Sequence, residues 1–256
     1  MEEKIRLNKY LSEIGFCSRR EADRLISEGR VFLCDRQAFV GEKIGRDEEI
    51  YVDGKGVKKE EQKVLLAYYK PKGIVCTSQK KEKHNVIDAL GYPIRVYPVG
   101  RLDKDSRGLL LLTNQGELVN QMMRSRNGHE KEYIVTVRQK IKEEFLKGMA
   151  RGVPILSTVT KKCTVEKIAD DKFRIILTQG LNRQIRRMCE YFGYQVEDLK
   201  RVRIMNIKLG NLMPGQFREI EGKEMRKLLS LLKASSSERI IQKGAHPGML
   251  ERDRKE

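Results

Sequence analysis

Arg101, Asp103 and Asp105 crowd together in "VYPVGRLDKDSRGLLLLTNQGEL", directly before the consecutive leucines Leu109 to Leu112. A carboxylate set against what reads as a buried strand has two explanations. It belongs to an ordinary surface turn, or it is delivered to the edge of a pocket, where an ionised oxygen can act as a nucleophile. The stretch is not a phosphate-binding loop, because no Lys-Ser/Thr follows its glycine. It has no histidine for a Ser-His-Asp arrangement. Taken alone, the turn reads as structural. Two further stretches change that: "KEYIVTV" contains Tyr133, and "LTQGLNRQIRRMCEYFGYQVEDLKRVRIMNI" contains Arg183, Arg186, Arg187 and Leu199.

The composition narrows the partner. The chain has 256 residues, a length suited to about one or two domains, and 39% of them are hydrophobic, enough for a core. Its formal net charge of +17 creates a field that attracts a polyanion or an anionic membrane. No apolar run approaches the ~20 residues that span a bilayer, and "MEEKIRLNKYL" is no signal peptide. The five cysteines, Cys17, Cys34, Cys76, Cys163 and Cys189, show no CxxC spacing, which argues against zinc and dithiol chemistry. Free thiols suit a reducing cytoplasm. Only His84, His129 and His246 are available, so a histidine-rich metal site is not expected. Nucleic acid is the leading partner; a merely solvated basic surface is the alternative.

The elements that must position these residues fall into two units. In the first, Leu7, Leu11 and Ile14 recur at helical spacing, with Gly15 at a C-terminal cap. Ser18 and Glu21 form a capping box for a second helix, whose apolar face is Ala22, Leu25 and Ile26. Arg19, Arg20 and Arg24 project from that helix, and strand-like "RVFL", "QAFV" and "EEIYVDG" follow. The polar stretch Gly54 to Lys63 reads as a linker. Beyond it, "KVLLAYYKPKGIVCTS" predicts two strands around a Pro-Gly turn. "EYIVTV" and "CTVEKIADDKFRIILTQ" predict further strands, the latter a pair turning at Asp170–Asp171. "RQIRRMCEYFG" predicts a short basic helix, and "LKRVRIMNIKLG" a strand with an irregularity near Asn206. "GKEMRKLLSLL" predicts a late helix. The fold class is α+β, with a mixed, mainly antiparallel sheet. Domains are expected at 1–58 and 63–234, with a flexible basic tail over 235–256.

The first unit resembles the S4 RNA-binding module, whose second helix presents basic residues to phosphates; a simply solubilising helix face is the alternative. Behind it, "YYKPKGIVCTS", "GRLDKDSRGLLLLTNQGEL", "KEYIVTV" and "LTQGLNRQIRRMCEYFGYQVEDLKRVRIMNI" occur in the order seen in the RsuA/RluB/RluE/RluF family of bacterial ribosomal RNA pseudouridine synthases. The resemblance runs from about Lys4 to Leu232. "DKDSRG" and "GLNRQIRRMCEYFGYQV" look most like the RluF subgroup. Many relatives have Thr at the position of Ser106 and Asp near Gln115, departures that leave the nucleophile untouched.

The resemblance implies an isomerase that converts uridine in RNA to its C-glycoside without metal or cofactor. It makes Asp103 the nucleophile, Tyr133 the residue packed on the target base, and Leu199 a wall of the uracil pocket. It pairs Arg186 with Asp103, a guanidinium keeping the carboxylate ionised and oriented. Arg183 and Arg187 are left for phosphate contacts, Arg101 for bracing the loop or binding RNA, and Arg19, Arg20 and Arg24 for the S4 contact. Attack on the base, attack on the sugar and assistance to glycal formation all remain open for Asp103. The implied substrate is 23S ribosomal RNA near the peptidyl-transferase region, with a tRNA anticodon uridine as second candidate. A cytoplasmic monomer, without a membrane partner, is expected. The alternative from another class is a non-catalytic RNA-binding or ribosome-assembly protein with the same fold.

Overall fold

Ser18 accepts the Glu21 amide at 3.1 Å and so caps α2 (Arg19–Ser27), which follows α1 (Leu7–Glu13). This is a computed structural model, and it describes residues 4–45, 47–57, 62–78, 81–123 and 128–244. The apolar faces of the two helices, Leu7, Leu11, Ala22, Leu25 and Ile26, close on Val31, Leu33, Ile44, Ile50 and Val52. Four short strands pair in the order Arg36–Gln37, Val31–Leu33, Ile50–Val52, Lys55–Gly56. The strand expected over "QAFV" ends at Gln37. Among the described residues this core contains none beyond Val57. Residues 58–61 of the expected linker lie outside the described residues.

The larger unit is built on a nine-stranded sheet. Its main path runs Thr164–Ala169, Lys172–Leu177, Lys131–Val137, Val196–Ile204, Arg107–Thr113, Leu65–Lys70, Phe217–Glu219. Leu109 and Leu111 face one core with α4 (Gly116–Met123) and α7 (Gly222–Gly244). Leu110 and Leu112 face another with α3 (Val86–Leu90). The leucine run is therefore a central strand buried on both faces, each side chain contributing roughly 1.5–3 kcal/mol. A third core packs α5 (Glu143–Arg151) and α6 (Gln184–Tyr191) against Val135, Phe173, Ile175 and Leu199.

Several expectations change in detail. After Leu65–Lys70 no second strand follows, only a bridge between Val75 and Asn85. The buried Lys70 folds over the turn instead, its Nζ donating to the carbonyls of Pro71 at 2.7 Å and Ile74 at 2.8 Å. The irregularity near Asn206 is a tight turn with Met205 at φ 52°, after which Ile207–Lys208 pairs back on Val196–Ile204. The ladder of Val196–Ile204 with Lys131–Val137 leaves two residues unmatched: Val202, since Tyr133 faces Arg201 and Glu132 faces Arg203, and Glu197, since Thr136 faces Asp198 and Val137 faces Val196. The flexible tail expected from residue 235 is helical through Gly244, because α7 continues past Ala234; residues 245–256 lie outside the described residues. Helices α3, α4 and α5 had no sequence expectation. In α5 the interior Gly148 weakens the helical signal, and a Cβ there would lie 2.5 Å from the Phe192 ring.

Every pairing along the main path is antiparallel but one. Lys200 and Arg201 run parallel to Arg107 and Gly108, joining the two halves of the sheet. Gly108 has φ +106°, and a Cβ on it would stand 2.2 Å from the Arg201 carbonyl oxygen. Beside this seam Arg107 donates from Nε and Nη2 to Asp198 at 2.9 and 2.7 Å and from Nη1 to the Tyr69 hydroxyl. Lys72 adds an ion pair to Asp198 at 2.8 Å. Burial would raise the Asp198 carboxyl, but the hydrogen bonds from Arg107 and Lys72 outweigh it and hold the pKa at about 2.

Gly108→Ala should destabilise the protein by roughly 2–6 kcal/mol, summing ~1–3 of backbone strain and ~1–3 of overpacking. Urea unfolding with an unchanged slope and a lowered midpoint would record it; a midpoint equal to wild type would contradict the tight seam. Asp198 sets an acid limit of its own. Its depressed pKa contributes stability that is fully present above about pH 4 and is lost as pH falls toward about 2. Asp198→Asn should be less stable at neutral pH, and its stability should fall less steeply between those values in an acid titration followed by circular dichroism.

Candidate active site

A cavity of about 350 Å³ opens beside the seam, lined by Arg101, Asp103, Lys131, Tyr133, Leu199 and Arg201 among others. The loop carrying Asp103 enters the strand Arg107–Thr113 and is tied down from several sides. Leu102 donates its amide to the buried Cys76 sulfur at 3.3 Å. The Asp103 carbonyl accepts the Ser106 amide at 3.0 Å, and the Lys104 carbonyl accepts the Gly73 amide at 2.9 Å. Burial pushes the Cys76 thiol up, so this sulfur stays a protonated packing group. The Asp103 side chain, 35% exposed, keeps its carboxylate open to the cavity.

The cation nearest that carboxylate differs from expectation. Arg183 brings Nη1 to 3.9 Å from Asp103 Oδ2 and 3.6 Å from Asp105 Oδ2. It stands at the N-cap of α6 with φ 50°, a left-handed turn that aims it across the cavity mouth. Arg186 lies one turn further along α6 and forms no ion pair with Asp103. Its Nη1 donates to the Val196 carbonyl and its Nη2 to the Asp105 carbonyl, both at 3.2 Å. The helix start, which sequence periodicity locates only loosely, decides which arginine reaches the acid. Arg187 donates from Nε to the Asn182 carbonyl at 3.2 Å and so braces the turn before α6.

The S4 arginines also divide. Arg24 is clamped by Glu21 at 2.5 Å and Glu28 at 2.6 Å, so it is not the free phosphate contact expected of it. Arg19 and Arg20 are exposed and form no ion pair among the described residues. Three buried or half-buried cations had no sequence expectation: Lys70, Lys131 and Arg201. Burial pushes the Lys70 ammonium down, against the neighbouring Cys76 and Asp103. A lysine closing the apolar run "LLAYYK", and cations spaced two apart from Tyr133 and Leu199, were the available signals.

Among the described residues no group of three His, Cys, Asp or Glu side chains is placed to hold a metal, and no helix is long and apolar enough to cross a membrane. The arrangement supplies an open carboxylate, a ring to stack on, an apolar wall and cations for an anionic chain. Residues 5–33 match the S4 domain, and residues 64–191 match the RNA pseudouridylate synthase family. The dual-specificity RNA pseudouridine synthase RluF of Escherichia coli (strain K12) is 52% identical over 236 residues, spanning 91% of this chain and 81% of that one. The ribosomal large subunit pseudouridine synthase B of Bacillus subtilis (strain 168) is 34% identical, spanning 88% of this chain and 96% of that one. A crystal structure of a pseudouridylate synthase superposes with a TM-score of 0.65 at 26% identity, covering 88% of this chain and 99% of that one. Half the chain matches the catalytic family and an S4 domain stands before it; the chain belongs to the RNA pseudouridylate synthases and is an RNA pseudouridine synthase.

Proposed function

We propose that Asp103 is the nucleophilic carboxylate, that Tyr133 packs on the target uracil and that Leu199 lines its pocket. The observation that carries this reading is their convergence: three distant chain segments bring these residues to one cavity. The uridine leaves its stack at a cost of a few kcal/mol, offset by phosphate contacts to the basic surface. The N1–C1′ bond breaks with its electron pair staying on the base, and Asp103 faces the electron-deficient C1′. The base turns, C5 bonds to C1′, the C5 proton leaves and N1 takes up a proton. No atom is gained or lost, so an isomerase needs only to bind, orient and stabilise. Arg183 holds the Asp103 carboxylate toward the cavity, while Arg186 braces the loop through the Asp105 carbonyl.

The substrate we assign is a uridine of 23S ribosomal RNA near the peptidyl-transferase region, with a tRNA anticodon uridine as the second. Two relatives support this, one a dual-specificity RNA pseudouridine synthase and the other a ribosomal large subunit pseudouridine synthase. We further assign a cytoplasmic monomer, in keeping with five free cysteines. Arg19 and Arg20 are the S4 phosphate contacts.

Asp103→Asn should reduce tritium release from 5-tritiated uridine in RNA to background, with filter-binding affinity within about tenfold, ~1.4 kcal/mol, of wild type. Substantial turnover by this variant would remove Asp103 from the chemistry. Arg183→Met should slow turnover by roughly two- to fivefold, the scale of a partly exposed ion pair at 3.9 Å worth about 1 kcal/mol or less. Arg187→Met should slow it less; the reverse order would restore a different partner to Asp103. For the S4 contact, Arg19→Gln with Arg20→Gln should lower the slope of log affinity against log salt by roughly 1.4–1.8, at about 0.7–0.9 per phosphate contact. Arg24→Gln should leave that slope unchanged, because Glu21 and Glu28 already balance its charge.

A further inference from the structure

Lys131 and Tyr133 stand two apart on one strand and so share a face, and Tyr133 faces Arg201 on the neighbouring strand. All three line the cavity that holds Asp103. Arg201 is 3% exposed. Its Nε donates to the Leu109 carbonyl at 2.7 Å and its Nη1 to the Arg101 carbonyl at 3.5 Å, while Nη2 meets no acceptor. The carboxylates flanking Lys131 are already engaged: Glu130 and Glu132 bind Arg203 at 2.9 and 2.7 Å. Among the described residues neither Lys131 nor Arg201 has an ion-pair partner. Burial, and then the Arg201 charge, push the Lys131 ammonium down.

Two unpaired cations in a partly dry cavity destabilise the fold, and packing alone would be served by apolar side chains. Their presence points to a ligand that becomes negative inside the cavity. This step rests on the isomerase reading above. When N1–C1′ breaks, the electron pair passes to the base and spreads over N1, O2 and O4. We propose that Lys131, backed by the buried charge of Arg201, is a catalytic residue that holds the carbonyl edge of the detached uracil and stabilises its anion.

The arrangement is an oxyanion hole for a nucleobase, with a donor in place before charge develops. Lys131 donates hydrogen bonds and is not consumed; the proton that returns to N1 leaves the balance of the reaction unchanged. Arg201 acts as a positioning residue, its guanidinium anchored to backbone carbonyls behind the lysine. The same pair favours uracil over cytosine. Both offer donors only, uracil presents O4 as an acceptor, and cytosine presents an N4 amino group there.

The test compares single-turnover rates of full-length wild type and Lys131→Met, with enzyme saturating, on RNA containing uridine or 5-fluorouridine at the target. Loss of the original nucleoside is read after nuclease digestion. With uridine the variant should be slower by about 10²–10³, the loss typical of one oxyanion donor. Fluorine withdraws electron density and stabilises the base anion without help from the protein, so with 5-fluorouridine the defect should shrink by roughly tenfold or more. RNA affinity should stay within about tenfold of wild type. The urea midpoint should be equal to or above wild type, because a buried unpaired charge has been removed. Equal defects on both RNAs, no defect on either, or a lowered midpoint with weak binding would each overturn the assignment. If wild type converts uridine and only the Lys131 expectation fails, the isomerase reading stands. If wild type converts neither RNA, that reading falls and takes this one with it.

Discussion

The backbone of Gly108 passes so close to Arg201 that no side chain fits between them, and the architecture of the larger unit follows from that approach. It permits the one parallel pairing of the main sheet path, which fuses two antiparallel halves with separate cores. The Asp103 loop leads into one strand of the seam, and Leu199 and Arg201 belong to the other. Main-chain contact, with no soft side chain between, therefore sets the spacing between the carboxylate loop and the opposite wall of the cavity. The Asp198 cluster with Arg107 and Lys72 holds the flank of the same seam. A site built on strands locked this way keeps its geometry better than one carried on loops alone.

Charge is distributed with less freedom than a net of +17 suggests. Arg24, Arg30, Arg174, Arg203 and Arg218 are each matched to carboxylates at 2.9 Å or less. Those arginines stabilise local structure, and the surplus that can reach a phosphate chain lies with unmatched residues such as Arg19 and Arg20. Position along a helix does not separate the two groups. Arg20 and Arg24 occupy neighbouring turns of α2, and each has an acid three residues away; Asp23 accepts from Asn8 at 2.9 Å, whereas Glu21 and Glu28 both close on Arg24.

Much of the plan was legible in the chain because its signals are local. The Ser18–Glu21 cap, the turn at Asp170–Asp171 and the alternation of "EYIVTV" each depend on neighbours within a few residues. The order of segments around Asp103 marked the family. What stayed hidden depends on long-range contact. The Arg183 alignment follows from one left-handed residue at the start of α6, and the helix α5 was masked by a glycine whose need arises only against Phe192. Lys131 looks like an ordinary strand cation until the sheet shows that Glu130 and Glu132 are both taken by Arg203, and Arg201 looks like one until its burial against Gly108 is seen.

The two units differ in how far they could travel between proteins. Among the described residues the S4 core draws on Ile5 to Val57, one continuous stretch of chain. The cavity recruits side chains from Val99 to Met205, with walls on both halves of a sheet joined at a single seam. No short insert carries that site, and a loop graft around Asp103 would bring the acid without its floor. Trading the first unit would leave the residues of this cavity untouched, while the cavity itself is inherited only as a whole.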